Sequence, residues 1–236
     1  MKTSAIDRRS TTMSAAADLR IYALLPFRGL VNAKSRLASA LSEAERRQLA
    51  LALLNRAVAA VADAGVERIA VVTRDPLLAA SGLDPRAEVL LQDNEGLNAA
   101  VRQGQRWALS GGAGGLLILL PDLPTLDVAD IRAIIDAAAP DAAVLAPDRH
   151  GTGTNALLLA PPDGIAPAFG VGSAARHRRS LALADIPITD VERRGTHLDL
   201  DTPDDIRALE NARRAADHAP GASRSAPKVN HHSSGV

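Results

Sequence analysis

Short, largely apolar runs alternate with segments of helical period along this chain, and that alternation leaves few folds open. Residues 21–26, 68–73, 88–91, 116–120 and 142–146 read as short strands. Between them Leu49, Leu53, Leu54, Ala57 and Val61 recur down one helical face, and 97–109 and 128–138 repeat the period. Ser42-Glu43-Ala44-Glu45 is a capping box that opens the first of these helices, and Gly65 closes it. Strands that alternate with helices pair in parallel and are covered on both faces. The expectation is a single-domain, three-layer α/β fold with a mostly parallel central sheet. No internal repeat interrupts it.

Composition narrows the function classes. Lys+Arg and Asp+Glu balance at 27 each, and no basic stripe is present, which argues against nucleic acid as a partner. With no cysteine there are no disulfides, thiolate metal sites or cysteine nucleophiles, in keeping with a cytoplasmic protein. No run reaches the length of a membrane span. Residues 1–19 are expected to be a flexible leader, 20–217 the folded domain and 218–236 a disordered tail. His231 and His232 lie in that tail and read as solvated residues rather than metal ligands.

In open α/β sheets ligands bind beyond the carboxyl ends of the strands. That rule directs attention to the loops after Pro26, Leu91, Leu120 and Ala146. The first holds Pro26, Arg28, Gly29, Lys34 and Arg36, a cationic loop suited to a triphosphate although it lacks P-loop spacing. The second holds Asp93 and Asn98, which could read a base or ribose or could serve as a turn and a helix cap. The third places Asp122 directly after an apolar strand, with Pro124 stiffening the turn. Further on, 197–203 reads His-Leu-Asp-Leu-Asp-Thr-Pro. If extended, Asp199 and Asp201 share one face and Leu198 and Leu200 the other, with Thr202 capping a helix that has Pro203 first. Carboxylates, waters and phosphate oxygens are the usual ligands of Mg²⁺, so Asp122 with Asp199 or Asp201 is the candidate metal set. The glycine run at 111–115 follows a helix and precedes a strand. That is the wrong place for a phosphate cradle, and it reads as a connection.

The fourth loop runs Asp148-Arg149-His150-Gly151-Thr152-Gly153-Thr154-Asn155 into the apolar run 156–159. Glycines alternating with hydroxylated residues can hold an anion. A second such stretch, Phe169-Gly170-Val171-Gly172-Ser173, leads into a helix whose N-terminus favours negative charge, with Arg176 and His177 just inside it. Together they read as a phosphate site.

These pieces, in this order, resemble the guanylyltransferases of deazaflavin coenzyme F(420) biosynthesis. The matching residues are Lys34-Ser35-Arg36-Leu37, Asp93 with Leu97-Asn98, Asp122-Leu123-Pro124, Gly151-Thr152-Gly153-Thr154-Asn155, Phe169-Gly170 with Ser173 and His177, and 199–203. They span roughly residues 20 to 210. One departure is Pro26-Phe27-Arg28, where many relatives have Val-Lys after the proline. Arg28 keeps the charge with a different reach. The resemblance implies a nucleotide-diphospho-sugar transferase-like fold. It implies that GTP and a small phosphorylated three-carbon acid yield a guanosine-diphospho product and pyrophosphate, with phosphoenolpyruvate the favoured acid over 2-phospho-L-lactate and 3-phospho-D-glycerate. It implies that Thr154, Gly170 and Ser173, with Asn155 and His177 beside them, hold the acid, that Pro26, Arg28, Lys34, Asp93 and Asn98 hold the nucleotide, and that Asp122, Asp199 and Asp201 hold magnesium. A downstream deazaflavin transferase and a second copy of the chain are the protein partners it allows.

Simple chemistry agrees. The phosphate oxygen of such an acid is already an anion and needs no general base to attack the α-phosphorus. The obstacle is repulsion between anions, which Lys34, Arg36, backbone N–H groups and the metal at Asp122 would screen. Two alternatives stand beside this reading. One is a related cytidylyl- or molybdopterin-guanylyltransferase, whose Arg-Met-Gly start is absent after Leu25-Pro26. The other is a nucleotide-sensing module without catalysis, against which Lys34, Asp122 and Asp199 argue.

Overall fold

The computed structural model describes residues 19–217. The expected leader, apart from Leu19, and the expected tail with His231 and His232 lie outside the described residues. Leu19 itself packs against the core.

The apolar runs become strands β1 (Ile21–Pro26), β2 (Arg68–Thr73), β3 (Ala87–Leu91), β4 (Gly115–Leu119), β5 (Ala143–Pro147) and β6 (Thr154–Leu159), and a short exposed strand outside those runs, β7 (Ile188–Asp190), completes the set. The periodic segments become helices α1 (Glu43–Asp63), α2 (Leu97–Ser110), α3 (Val128–Asp136) and α4 (Ser173–Leu183). A short turn of helix, α5 (Arg194–His197), precedes the last helix, α6 (Pro203–Asp217). The seven strands form one sheet in the order β3-β2-β1-β4-β6-β5-β7. Pairings β1–β2, β1–β4, β2–β3 and β5–β7 are parallel, while β4–β6 and β5–β6 are antiparallel. Only β6 runs against the rest. The cause is local: residues 148–153 connect β5 to β6 directly, with no crossover helix to bring the chain back to the other end.

That reversal places the site. Pro147, the last residue of β5, pairs with Thr154, the first of β6. Thr154 and Asn155 therefore enter the sheet at the rim where β1 to β4 end. The loop is held there by the N–H of Arg149 donating to the carbonyl of His197, 2.9 Å, and that of Ala174 to Thr152, 3.1 Å.

Alternation along the strands builds a core on each face. Ala23, Leu25, Val71, Leu117 and Leu119 face α1 and α3. Tyr22, Leu24, Ala70, Val72, Leu116 and Ile118 face α2 and α4. The close approach of α2 to β1 depends on Gly104, where a Cβ would stand 2.1 Å from Leu24 Cδ2. Both faces are buried, and truncating a buried leucine such as Leu54 to alanine costs about 2–5 kcal/mol. A smaller cluster of Leu37, Leu53 and Leu200 ties the first loop and the 199–201 segment to α1.

Candidate active site

The cationic first loop is shaped by its own backbone. Asn32 and Lys34 adopt left-handed conformations, with φ of 55° and 49°. Lys34 starts a single 3-10 turn, Ser35–Leu37, whose Leu37 is fully buried. The Leu30 N–H donates to Asp75 Oδ2 at 3.0 Å, which pins the loop to the end of β2. Burying Leu37 and pinning Leu30 leaves Arg28, Lys34 and Arg36 around a cavity of about 1040 Å³ at the carboxyl ends of β1 to β4. Pro26 lines it where β1 ends.

On the far wall Asp122 follows β4, and the Leu200 N–H donates to the Asp122 carbonyl at 3.0 Å. This backbone bond carries 199–201 to the cavity. Lys34 Nζ then lies 2.9 Å from Asp201 Oδ1 and 3.4 Å from Asp122 Oδ2. Arg36 is more exposed, 3.9 Å from Asp201. Burial pulls the Lys34 ammonium down, but Asp122 and Asp201 outweigh it and hold its pKa above the ordinary lysine value. Burial pushes the Asp122 carboxyl up, with Asp201 and Asp199 adding to the shift and Lys34 opposing it.

The donor set fits a divalent cation that completes its shell from substrate. Asp122 Oδ1 is buried with no hydrogen-bond partner among the described residues, an arrangement that is costly unless another group satisfies the oxygen. Among the described residues no three acidic or histidine side chains converge into a ready cage. Asp122 and Asp201 line the cavity, and one or two carboxylates plus phosphate oxygens and water is the usual share for Mg²⁺. Asp199 does not line the cavity. Burial raises its pKa, and it feels Asp201, Asp205 and Arg149.

Asp205 anchors this segment. It accepts from the N–H of Asp201 at 3.0 Å, from the N–H and hydroxyl of Thr202 at 2.7 and 2.8 Å, and from Arg149 at 2.8 Å. The expected cap at Thr202 is thus worked from the other side, by Asp205 reaching back. Arg149, from the glycine-threonine loop, locks that loop to the 199–201 segment.

The second glycine-hydroxyl stretch meets the first as expected. Gly170 and Gly172 have φ of 114° and 69°, a left-handed backbone that favours glycine, and α4 begins at Ser173. The Ser173 hydroxyl lies 3.2 Å from Thr154 Oγ1, and His177 Nδ1 lies 3.0 Å from the same oxygen. Arg176 spends its charge on the turn itself. Its guanidinium donates to the carbonyls of Ala168, at 2.8 and 3.1 Å, and of Val171, bracing the turn.

Three of the expected residues are engaged in other ways. The Asn98 side chain accepts from the Phe169 N–H at 2.8 Å and donates to the Phe169 carbonyl at 3.2 Å, joining α2 to the turn before α4. Asn155 is buried and donates to the Thr196 carbonyl at 2.7 Å. Asp93 is exposed beside Arg106, 3.8 Å away, and does not line the cavity. Arg74, Asp75, Gln92 and Glu95 do line it and were not among the expected residues. The rule for strand ends covers the loop after Thr73 as well, and applied there it finds Arg74 and Asp75.

Residues 21–209 match the family described as Guanylyl transferase CofC like. A phosphoenolpyruvate guanylyltransferase of Sphaerobacter thermophilus is 42% identical over 199 residues, covering 84% of this chain and 93% of that protein. A 3-phospho-D-glycerate guanylyltransferase of Phenylobacterium zucineum is 38% identical over 196 residues, 81% of this chain and 89% of that one. Among solved structures, a candidate nucleotide-diphospho-sugar transferase from Desulfovibrio desulfuricans G20 superposes with a TM-score of 0.70 at 13% identity, covering 86% of this chain and 92% of that chain. A Mycobacterium tuberculosis H37Rv protein solved as a complex with manganese gives 0.54 at 18% identity, covering 81% and 97%. The chain has the nucleotide-diphospho-sugar transferase fold, it is a nucleotidyltransferase, and it belongs to the CofC-like guanylyl transferase family.

Proposed function

We propose that this protein transfers GMP from GTP to the phosphate of phosphoenolpyruvate, giving enolpyruvoyl-2-diphospho-5'-guanosine and pyrophosphate, as a step of coenzyme F(420) biosynthesis. The observation that carries the reading is Lys34 seated between Asp122 and Asp201 on a cavity wide enough for a nucleotide. In this reading Arg28, Lys34 and Arg36 hold the triphosphate. The uncapped first turn of α2, at Gly96 and Leu97 on the cavity wall, adds the positive end of a helix. Asp122 and Asp201 would hold a magnesium ion, which supplies charge neutralisation on the phosphates and leaving pyrophosphate. Thr154, Gly170 and Ser173 hold the acid. Its phosphate oxygen attacks the α-phosphorus in line, the bond to the β-phosphate oxygen breaks, and no proton has to move. The residues lower the barrier by orientation and by fixed positive charge.

The similarity to a 3-phospho-D-glycerate guanylyltransferase makes that acid the second reading. 2-Phospho-L-lactate shares the same chemistry. The product passes to a deazaflavin transferase, and the cytoplasm, which supplies GTP, is the compartment. No helix among the described residues is long and apolar enough to cross a membrane.

The test is incubation of the protein with GTP, magnesium and all three acids together, followed by pyrophosphate assay and product mass. The enolpyruvoyl adduct is expected as the dominant mass. A phosphoglyceryl or lactyl adduct would replace the acceptor, and no pyrophosphate with any acid would overturn the reading.

A further inference from the structure

His177 is fully buried on α4 and makes two hydrogen bonds through its ring. The backbone N–H of Ala168 lies 3.1 Å from Nε2. A backbone N–H can only donate, so Nε2 must be the acceptor and carry no proton. In a neutral imidazole the proton then sits on Nδ1. Nδ1–H therefore donates to Thr154 Oγ1, 3.0 Å away.

The direction of that bond decides what Thr154 can do. With the opposite tautomer, Thr154 would spend its hydroxyl proton on the ring. With this one, Thr154 Oγ1 is an acceptor from His177, and it shares one further bond with Ser173 Oγ at 3.2 Å. Two hydroxyls joined by one bond use one of their two protons. The second has no acceptor among the described residues, in a pair only 2% exposed. An unspent buried donor at the head of a helix is costly without a ligand and well matched to an anion. Phe169 closes the other side, its ring packed edge-on to His177 with centroids 4.8 Å apart. Burial, with Arg176 adding to it, lowers the His177 pKa to about 4, so the ring stays neutral at physiological pH.

We infer that His177 is a positioning residue for the acid: held in its Nδ1–H tautomer by the Ala168 N–H, it leaves the Thr154–Ser173 pair with a hydroxyl proton to donate to the acceptor's anionic oxygens. His177 does not touch the acid. The inference rests on the assignment of Thr154 and Ser173 to the acid proposed above.

The first experiment is ¹⁵N–¹H correlation of the six histidine rings in the full chain without ligands, with His177 assigned by its loss in H177N. The Nδ1–H tautomer is expected, and an Nε2–H or doubly protonated ring at neutral pH overturns the inference. Kinetics form the second. His177→Gln keeps an acceptor near Nε2 but no donor toward Thr154, and the acid's KM is expected to rise about tenfold with the KM for GTP unchanged. His177→Asn keeps a donor near Nδ1 and restores most of the loss. In a Thr154→Val background, H177Q is expected to add no further increase, whereas an additive increase or equal rises in both KM values overturns the positioning role. If the wild-type chain shows no guanylyl transfer while the ring shows the Nδ1–H tautomer, the proposed function has failed and the tautomer has not.

Discussion

In the proposed reading, the two halves of the site would hold anions by opposite means. The proposed nucleotide half is made of charge: Lys34 is flanked by Asp122 and Asp201, Arg28 and Arg36 line an open cavity, and Asp122 keeps a buried oxygen without a partner among the described residues. The proposed acid half is closed and presents uncharged side chains: Thr154, Ser173 and His177 are each at most 2% exposed, and Ser173 and His177 both bond to Thr154. Full charges suit a polyanion bound with a cation, where long-range attraction matters more than shape. Directed neutral bonds suit a small acid that must be told apart from its neighbours, because a misplaced hydroxyl or carbonyl leaves a buried group unpaired. The halves are joined by Arg149, which leaves the glycine-threonine loop to reach Asp205 behind the aspartate segment.

This contrast can be broken from either side. The largest effect is expected in the charged half. Replacing Asp122 with Asn removes a ligand charge beside Lys34, and turnover should fall about a thousandfold with the melting temperature held. Retained turnover in a steady-state assay would remove Asp122 from the chemistry.

The neutral half should reveal itself through pH. The folded-state pKa of His177, about 4, lies below its unfolded value of about 6.5. The folded chain thus binds fewer protons between those values. The associated stability is complete above about pH 6.5 and is lost as pH falls through the folded pKa. Urea unfolding of the wild type should therefore lose up to about 3 kcal/mol more than H177Q between pH 6.5 and 4. Parallel curves would mean that His177 titrates normally.

The joint between the halves comes next. Asp205 is 3% exposed and loses its charged partner in Arg149→Ala, a change expected to cost about 2 kcal/mol in denaturant unfolding. A cost near zero would make the bridge incidental. The smallest effect is Thr154→Val, which should raise the acid's KM about tenfold.

Much of this was legible in the residues. Alternation gave β1 to β5 and the helices between them but not β7 or α5, and the rule for strand ends gave the first loop and Asp122. Two features were not legible. The reversed β6 has the same apolar character as its parallel neighbours, because strand direction is set by the length of the connection at 148–153 and not by the strand itself. The roles of Asn98, Asn155 and Arg176 were also hidden. Each has the chemistry of a ligand contact, and only tertiary packing shows that each spends its polar atoms on the backbone of a turn near the site. Arg74 and Asp75 follow a strand as Asp122 does, and the same rule applied evenly would have found them.

The division of labour is tested most directly by both substrate KM values measured side by side in Lys34→Met and Thr154→Val. A crossed pattern is predicted: K34M weakens GTP and slows turnover while sparing the acid, and T154V weakens the acid while sparing GTP. Both variants weakening the same substrate would contradict it.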